Sequence, residues 1–263
     1  MLRAADVSFA YGPGQAGLHG VSIDVPRGGL VGILGPNGSG KTTLLRVLGG
    51  MLPAASGRVT IDGRDLARMP RRELARQIAV VPQETRLSFE YSALEVVLMG
   101  RYPHLGAFEL ESPEDVAIAR EALAATGTLA LEDRLFPTLS GGEKQRVIIA
   151  SALAQSAGLM LLDEPTAALD PGYQIEIAAL LRRVNADRGV TMAVATHDLN
   201  LAAGLCRHLV LLREGRVLAA GPTGEVLTRE SVRALYDVEA DVHFHEGVGH
   251  LMVVPLHRTR GAG

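Results

Sequence analysis

Val31-Gly32-Ile33-Leu34-Gly35-Pro36-Asn37-Gly38-Ser39-Gly40-Lys41-Thr42-Thr43-Leu44-Leu45-Arg46-Val47-Leu48 opens as an apolar run, breaks at glycines and resumes with helical spacing. Val31 to Leu34 predicts a buried strand and Leu44 to Leu48 a helix, and Gly35 to Thr42 between them matches a phosphate-binding loop. Glycines let backbone N–H groups converge on phosphate oxygens, and the helix start adds its partial positive charge. Lys41 is placed to reach the terminal phosphates and the Thr42 hydroxyl to ligate Mg2+.

Composition narrows the setting of this loop. The chain has 263 residues, 47% hydrophobic and 21% charged, which is enough to bury a core without disulfides or a structural metal. A net charge of −3 provides no polybasic field, so nucleic acid is not an expected partner. Cys206 is the only cysteine, no signal-peptide core follows Met1, and no stretch approaches 18 uninterrupted apolar residues; a cytoplasmic chain is expected. Of 26 basic residues only Lys41 and Lys144 are lysines. A compositional bias toward arginine accounts for the rest, and the compact charge a phosphate loop needs accounts for Lys41.

Outward from the loop, Arg58 to Gly63 and Gln77 to Pro82 read as short strands, and the pattern turns helical near Gln83. Ser112-Pro113-Glu114-Asp115 carries the order of a helix N-terminus, with Gly127 as its stop, and a further helix is expected from Lys144 to about Ala157. Leu159 to Leu162 and Val190 to Ala195 are continuous apolar runs separated by helix-length segments, the pattern of a parallel α/β sheet. In the tail, Val238, Ala240, Val242 and Phe244 alternate with Glu239, Asp241, His243 and His245, and Gly247-Val248-Gly249 turns into Leu251 to Val254, predicting a terminal hairpin. The expected fold class is α/β: a phosphate-loop NTPase core with a mostly parallel sheet, an antiparallel β part and an inserted helical subdomain. One domain spans 1–263, with the helical insertion over about 84–157 and the hairpin tail over 237–263.

A phosphate loop alone serves kinases, GTPases and ATPases alike. Leu161-Leu162-Asp163-Glu164 discriminates further, since an apolar strand ending in adjacent carboxylates gives Asp163 to a Mg2+ shell and Glu164 to polarise a water. Leu139-Ser140-Gly141-Gly142-Glu143-Lys144-Gln145-Arg146 is a second serine-bearing glycine turn before a helix, suited to a γ-phosphate.

With that segment the chain resembles the ATP-binding subunits of ABC transporters, whose signature reads Leu-Ser-Gly-Gly-Gln; Glu143 departs at the fifth position and leaves Ser140, Gly141 and Gly142 intact. The resemblance extends over nearly the whole chain and implies the following roles. ATP is bound by Gly35, Pro36, Asn37, Gly38, Ser39, Gly40, Lys41, Thr42 and Thr43, with Tyr11 stacking on adenine and Ser140, Gly141 and Gly142 completing the site. Mg2+ is held by Thr42, Gln83 and Asp163. Glu164, His197 and Gln83 are catalytic, Glu164 as general base and His197 on the γ-phosphate. Ala168-Leu169-Asp170 crosses a dimer interface, with Ala167 where serine is frequent. The implied partners are a second copy in a head-to-tail dimer, polytopic membrane permease subunits and, indirectly, a substrate-binding protein, with the chain on the cytoplasmic face of the membrane.

Gly100-Arg101-Tyr102-Pro103-His104 and the tail from Tyr236 to Leu256 resemble the importers of ferric siderophores, haem and cobalamin, and the former segment is where the family receives the permease. An importer of metal ions or other cargo is the alternative. A soluble ABC ATPase outside transport is less favoured, because paired cassettes and long coiled-coil insertions are not seen. His243, His245 and His250 read as a solvated strand face rather than a metal cluster, Cys206 as packing, and Arg68, Arg71, Arg72 and Arg76 as one exposed helix face.

Overall fold

The computed structural model describes residues 1–12, 15, 17–83, 89–167 and 169–259; Ala168, and the segments 84–88 and 260–263 at the edges of the expected subdivisions, lie outside the described residues. The chain begins with β1 (Leu2–Ala10), β2 (Gly17–Val25), β3 (Leu30–Leu34), α1 (Lys41–Leu48), β4 (Ser56–Ile61) and β5 (Arg64–Asp65). It continues through α2 (Arg71–Ala75), β6 (Ile78–Val81), α3 (Ala93–Leu98), α4 (Pro113–Ala125), α5 (Gly141–Ala154), β7 (Leu159–Asp163) and α6 (Pro171–Arg188). Then follow β8 (Thr191–Thr196), α7 (Leu199–Leu205), β9 (His208–Arg213), β10 (Arg216–Pro222), α8 (Thr223–Val226), α9 (Arg229–Tyr236), β11 (Val238–His245) and β12 (His250–Arg258). Two compact units result, one from 1–68 with 191–263 and the other from 69–190.

In the first unit β3 lies between β8 and β9, parallel to both, and β10 closes onto β9 antiparallel. All five residues of β3 and all six of β8 are buried, as expected for parallel strands covered on both faces. That double burial is why these strands read as uninterrupted apolar runs. A separate antiparallel sheet has the order β2-β1-β4-β5. The tail forms the expected hairpin of β11 and β12, with Ala240 and Val253 buried. Phe244 shares the alternation of Ala240 yet is exposed, because burial along β11 ends before it.

In the second unit β6 and β7 are a parallel pair, and α3 and α4 both pack on α5. Ser112 caps α4 in a full capping box with Asp115, with Pro113 in the first turn, and Gly127 follows at φ 69. Helix α5 starts at Gly141 and ends at Ala154, three residues earlier at each end than the expected Lys144 to Ala157. A capping box between Ser140 and Glu143 recruits both glycines into the first turn, and Ser156 leaves the helical region at φ 56. Asp170, Pro171 and Gly189 supply the cap, first turn and left-handed stop of α6. Among the described residues, no helix is long and apolar enough to cross a membrane.

Candidate nucleotide site

The phosphate loop occupies the turn between β3 and α1. Gly40 is left-handed at φ 103 and Gly38 at φ 80, conformations that glycine reaches without strain. No side chain caps α1, so its N-terminus is organised by backbone alone. Ser39 N–H donates to the Pro36 carbonyl at 3.1 Å, and Gly215 N–H to the Ser39 carbonyl at 2.9 Å, which fastens the loop from β10's side. Lys41, buried, donates from Nζ to the Gly35 and Pro36 carbonyls at 2.8 and 3.1 Å. These neutral acceptors keep the ammonium folded over the loop, where an anion competes for it on better electrostatic terms. The Ser39 hydroxyl is buried without a hydrogen-bond partner, a polar atom that a bound phosphate would satisfy.

Three further expected residues belong to this unit. Tyr11 is exposed, stands edge-on to Phe9 and approaches the Thr43 hydroxyl at 3.3 Å, so its ring is presented at the loop's helix. Thr42 sits in the first turn of α1. His197 follows the last residue of β8, and Gly35 N–H donates to the Thr196 carbonyl at 3.3 Å, which brings the histidine segment to the start of the loop.

The second unit holds the carboxylates, Gln83 and the signature. β6 and β7 run in register with Val81 opposite Leu162, so Pro82-Gln83 and Asp163-Glu164 leave the same end of two neighbouring strands. Asp163 and Glu164 are buried at 7% and 6% exposure, and Gln83 is exposed. Glu164 adopts a left-handed backbone at φ 49, which a side-chain-bearing residue occupies at a cost and which concentrates at functional sites. Ser140 N–H donates to the Glu143 carboxylate at 2.7 Å and Glu143 N–H to the Ser140 hydroxyl at 3.3 Å. The first of these bonds is the leading cause that holds the Glu143 carboxyl below its ordinary pKa. Gly142 is required for contact rather than for φ: a Cβ there would lie 2.3 Å from the Tyr173 ring of α6. Asp170, in the expected interface loop, caps α6 through Tyr173 N–H.

In the segment Gly100 to His104 the side chains divide between interior and surface. Arg101 is 7% exposed and bonds Asp115 at 2.9 Å, the Ala154 carbonyl at 2.7 Å and Ser156 at 3.3 Å. Asp115, bonded by Ser112 and then by Arg101, has its pKa pulled down to about 2. Arg101 is therefore an internal brace, and Tyr102 is the exposed side chain of the group. The four arginines are exposed as expected, but not on one helix: Arg68 ends a separate turn at Leu66–Arg68, while Arg72 and Arg76 at α2 both donate to the Pro103 carbonyl. Among the described residues no group of His, Cys, Asp and Glu suits a metal ion, and Cys206 is buried, which pushes its thiol pKa up.

Sequence reasoning did not find Arg213, Tyr236 and Asp237, which line a cleft of about 210 Å3 together with Pro36 to Ser39. No local pattern marks them, since they come from β9 and the end of α9.

The chain is similar to known proteins over most of its length. The ABC transporter family matches residues 18–167. The ferric enterobactin transport ATP-binding protein FepC of Escherichia coli K12 is 38% identical over 98% of this chain and 95% of its own length. The hemin import ATP-binding protein HmuV of Streptomyces coelicolor is 44% identical over 98% and 91%. Among solved structures, a metal-chelate type ABC transporter in an inward-facing conformation superposes with a TM-score of 0.86 at 30% identity, covering 98% of both chains. The dimeric ATP-binding cassette MJ0796 with ADP and Pi gives 0.74 at 31% identity, covering 85% of this chain and 99% of that one.

Proposed function

The chain belongs to the ABC transporter ATP-binding family, and on that premise we propose that it hydrolyses ATP to drive import of an iron chelate, a siderophore or haem, or of cobalamin. The observation that carries the ATPase reading is the side-chain-free start of α1 behind Gly40, with Lys41 buried over the loop. The relatives named for ferric enterobactin and hemin import support the cargo class.

In this reading Gly35 to Thr43 and Tyr11 bind the nucleotide, and Ser140, Gly141 and Gly142 bind the γ-phosphate of the nucleotide held by a second copy. Each chain carries each motif once, so two chains complete two sites, as the dimeric cassette of the family supports. Thr42, Gln83 and Asp163 offer hydroxyl, carboxamide and carboxylate oxygens, a hard donor set that suits Mg2+. Bound there, Mg2+ would offset charge on the phosphate oxygens. Glu164 takes the proton of the attacking water, and His197 donates to the γ-phosphate as charge develops. The chain sits at the cytoplasmic face of the membrane through a permease.

The test is a purified complex of this chain with its permease in liposomes, given a loaded substrate-binding protein. ATP-dependent uptake is assayed for haem, a ferric siderophore, cobalamin and a divalent metal, with Glu164→Gln as the hydrolysis-deficient control. Turnover of that variant should fall at least about 100-fold while ATP binding persists. Uptake confined to the divalent metal would sink the chelate reading and leave the ATPase reading intact.

A further inference from the structure

The tail grips the histidine segment at three separate points, and no part of the phosphate-loop chemistry calls for it. The Tyr236 hydroxyl, at the end of α9, donates to the His197 carbonyl at 2.9 Å. The Asn200 carboxamide, in the first turn of α7, reads both main-chain groups of Val253 in β12, donating at 3.2 Å and accepting at 2.8 Å. The His250 ring rests against Gly204 near the other end of α7, where a Cβ would come within 2.8 Å of it. Asp198 between these points caps α7 through the N–H groups of Asn200 and Leu201.

The grip is itself anchored. Arg213 bonds both oxygens of Asp237 at 3.0 and 2.8 Å, which holds that residue in its left-handed turn at φ 56 directly after Tyr236. Leu235 and Val232 bury the inner face of α9, and Val253 and Ala240 that of the hairpin. Tyr236 and Asp237 also face Pro36 to Ser39 across the same cleft, so the strap is seated beside the phosphate loop.

The geometry points to Tyr236 as a positioning residue: α9 and the β11–β12 hairpin form a strap that fixes the main chain of His197, and with it the direction in which the exposed imidazole is presented. A hydrogen bond to the carbonyl of the residue that bears the ring restricts rotation about its own backbone, and Asn200 restricts the helix that follows. This inference rests on the reading of His197 as the group that meets the γ-phosphate.

Tyr236→Phe removes one hydroxyl and keeps the ring. In steady-state ATPase assays on the full chain, kcat should fall about 10-fold while KM for ATP stays within about twofold, because the hydroxyl removed is the one that holds the His197 carbonyl. The thermal midpoint should stay within about 3 °C. Asn200→Ala, cutting the second hold, should give the same split with a drop of about 3-fold. His197→Ala is measured alongside. If His197→Ala is inactive and both strap variants keep wild-type kcat, the strap assignment is overturned and the site reading stands. If His197→Ala turns over ATP at the wild-type rate, the site reading itself fails and takes the strap with it. A lowered midpoint with parallel changes in kcat and KM means a merely destabilised fold and also overturns the assignment.

Discussion

Helix α1 begins behind Gly40, left-handed at φ 103 and with no side-chain cap, whereas α5 begins behind Ser140, extended at φ −64 and locked in a capping box with Glu143. Both are glycine-rich helix starts that could face a phosphate, and they solve the problem of open N–H groups in opposite ways. At α1 the loop folds back on itself and Lys41 covers it, so the helix end is kept for an anion. At α5 the Glu143 carboxylate and Ser140 hydroxyl already occupy two backbone donors, and the Ser140 O–H remains able to donate outward. On the proposed function this is a division of labour, with binding strength at α1 and a fixed serine at α5. Glutamate at the signature's fifth position also gains a reason, because it is the acceptor of the box.

The sharpest way to break this comparison is to damage one start per chain. Lys41→Ala and Ser140→Arg homodimers should each lose at least about 100-fold in ATPase turnover, one from lost phosphate contact and the other from a blocked signature. Mixed in equal amounts, the two chains should regain activity through heterodimers with one undamaged pair of starts. Demonstrated heterodimers whose rate is no greater than that of the two mutants would mean that both starts serve the same nucleotide within one chain.

The contrast also marks what a linear reading can reach. The phosphate loop is legible because its chemistry is local: strand, glycines and Lys41 lie within a few residues. So are the start of α4 at Ser112-Pro113 and the hairpin turn at 247–249, which rest on caps and alternation. The start of α5 is misread by three residues because Gly141 and Gly142 argue for a loop until the Ser140–Glu143 bonds are seen. Phe244 shows that alternation identifies a face and not what covers it. Arg101 and Tyr236 are beyond local reading altogether. Their partners, Asp115 and His197, stand 14 and 39 residues away and are chosen by packing.

A milder perturbation sharpens the role of the box. Glu143→Ala removes the acceptor of the Ser140 N–H while leaving the serine in place. Stability should fall by about 1 kcal/mol, the usual worth of a helix N-cap interaction, and turnover by roughly 3- to 10-fold as Ser140 loosens. Glu143→Gln retains an acceptor and should stay within about twofold of wild type. Equal losses for Ala and Gln would show that charge, and not the box, is what this position supplies.

The smallest effect separates the charged acceptor from the neutral one, and only α5 can show it, since α1 has no titrating cap. In the folded chain the Glu143 carboxylate accepts the Ser140 N–H, then bonds the Ser140 side chain, and lies near Arg134 and Arg146, so its pKa sits below the ordinary 4.5. A depressed carboxyl pKa contributes stability that is fully present above the ordinary value and is lost as pH falls through the folded one. Against Glu143→Gln, wild type should therefore hold an advantage of about 0.5 kcal/mol near neutral pH, the scale of a charge at a helix N-terminus. That advantage should begin to shrink as pH falls below 4.5 and vanish once Glu143 is protonated. Asp115 also has a lowered pKa, about 2, but its titration is common to both chains and cancels in their difference. Urea unfolding of the two chains in parallel across this range reads the difference directly. A gap that stays constant with pH would assign the advantage to side-chain shape and remove charge from the account of why this signature carries Glu143.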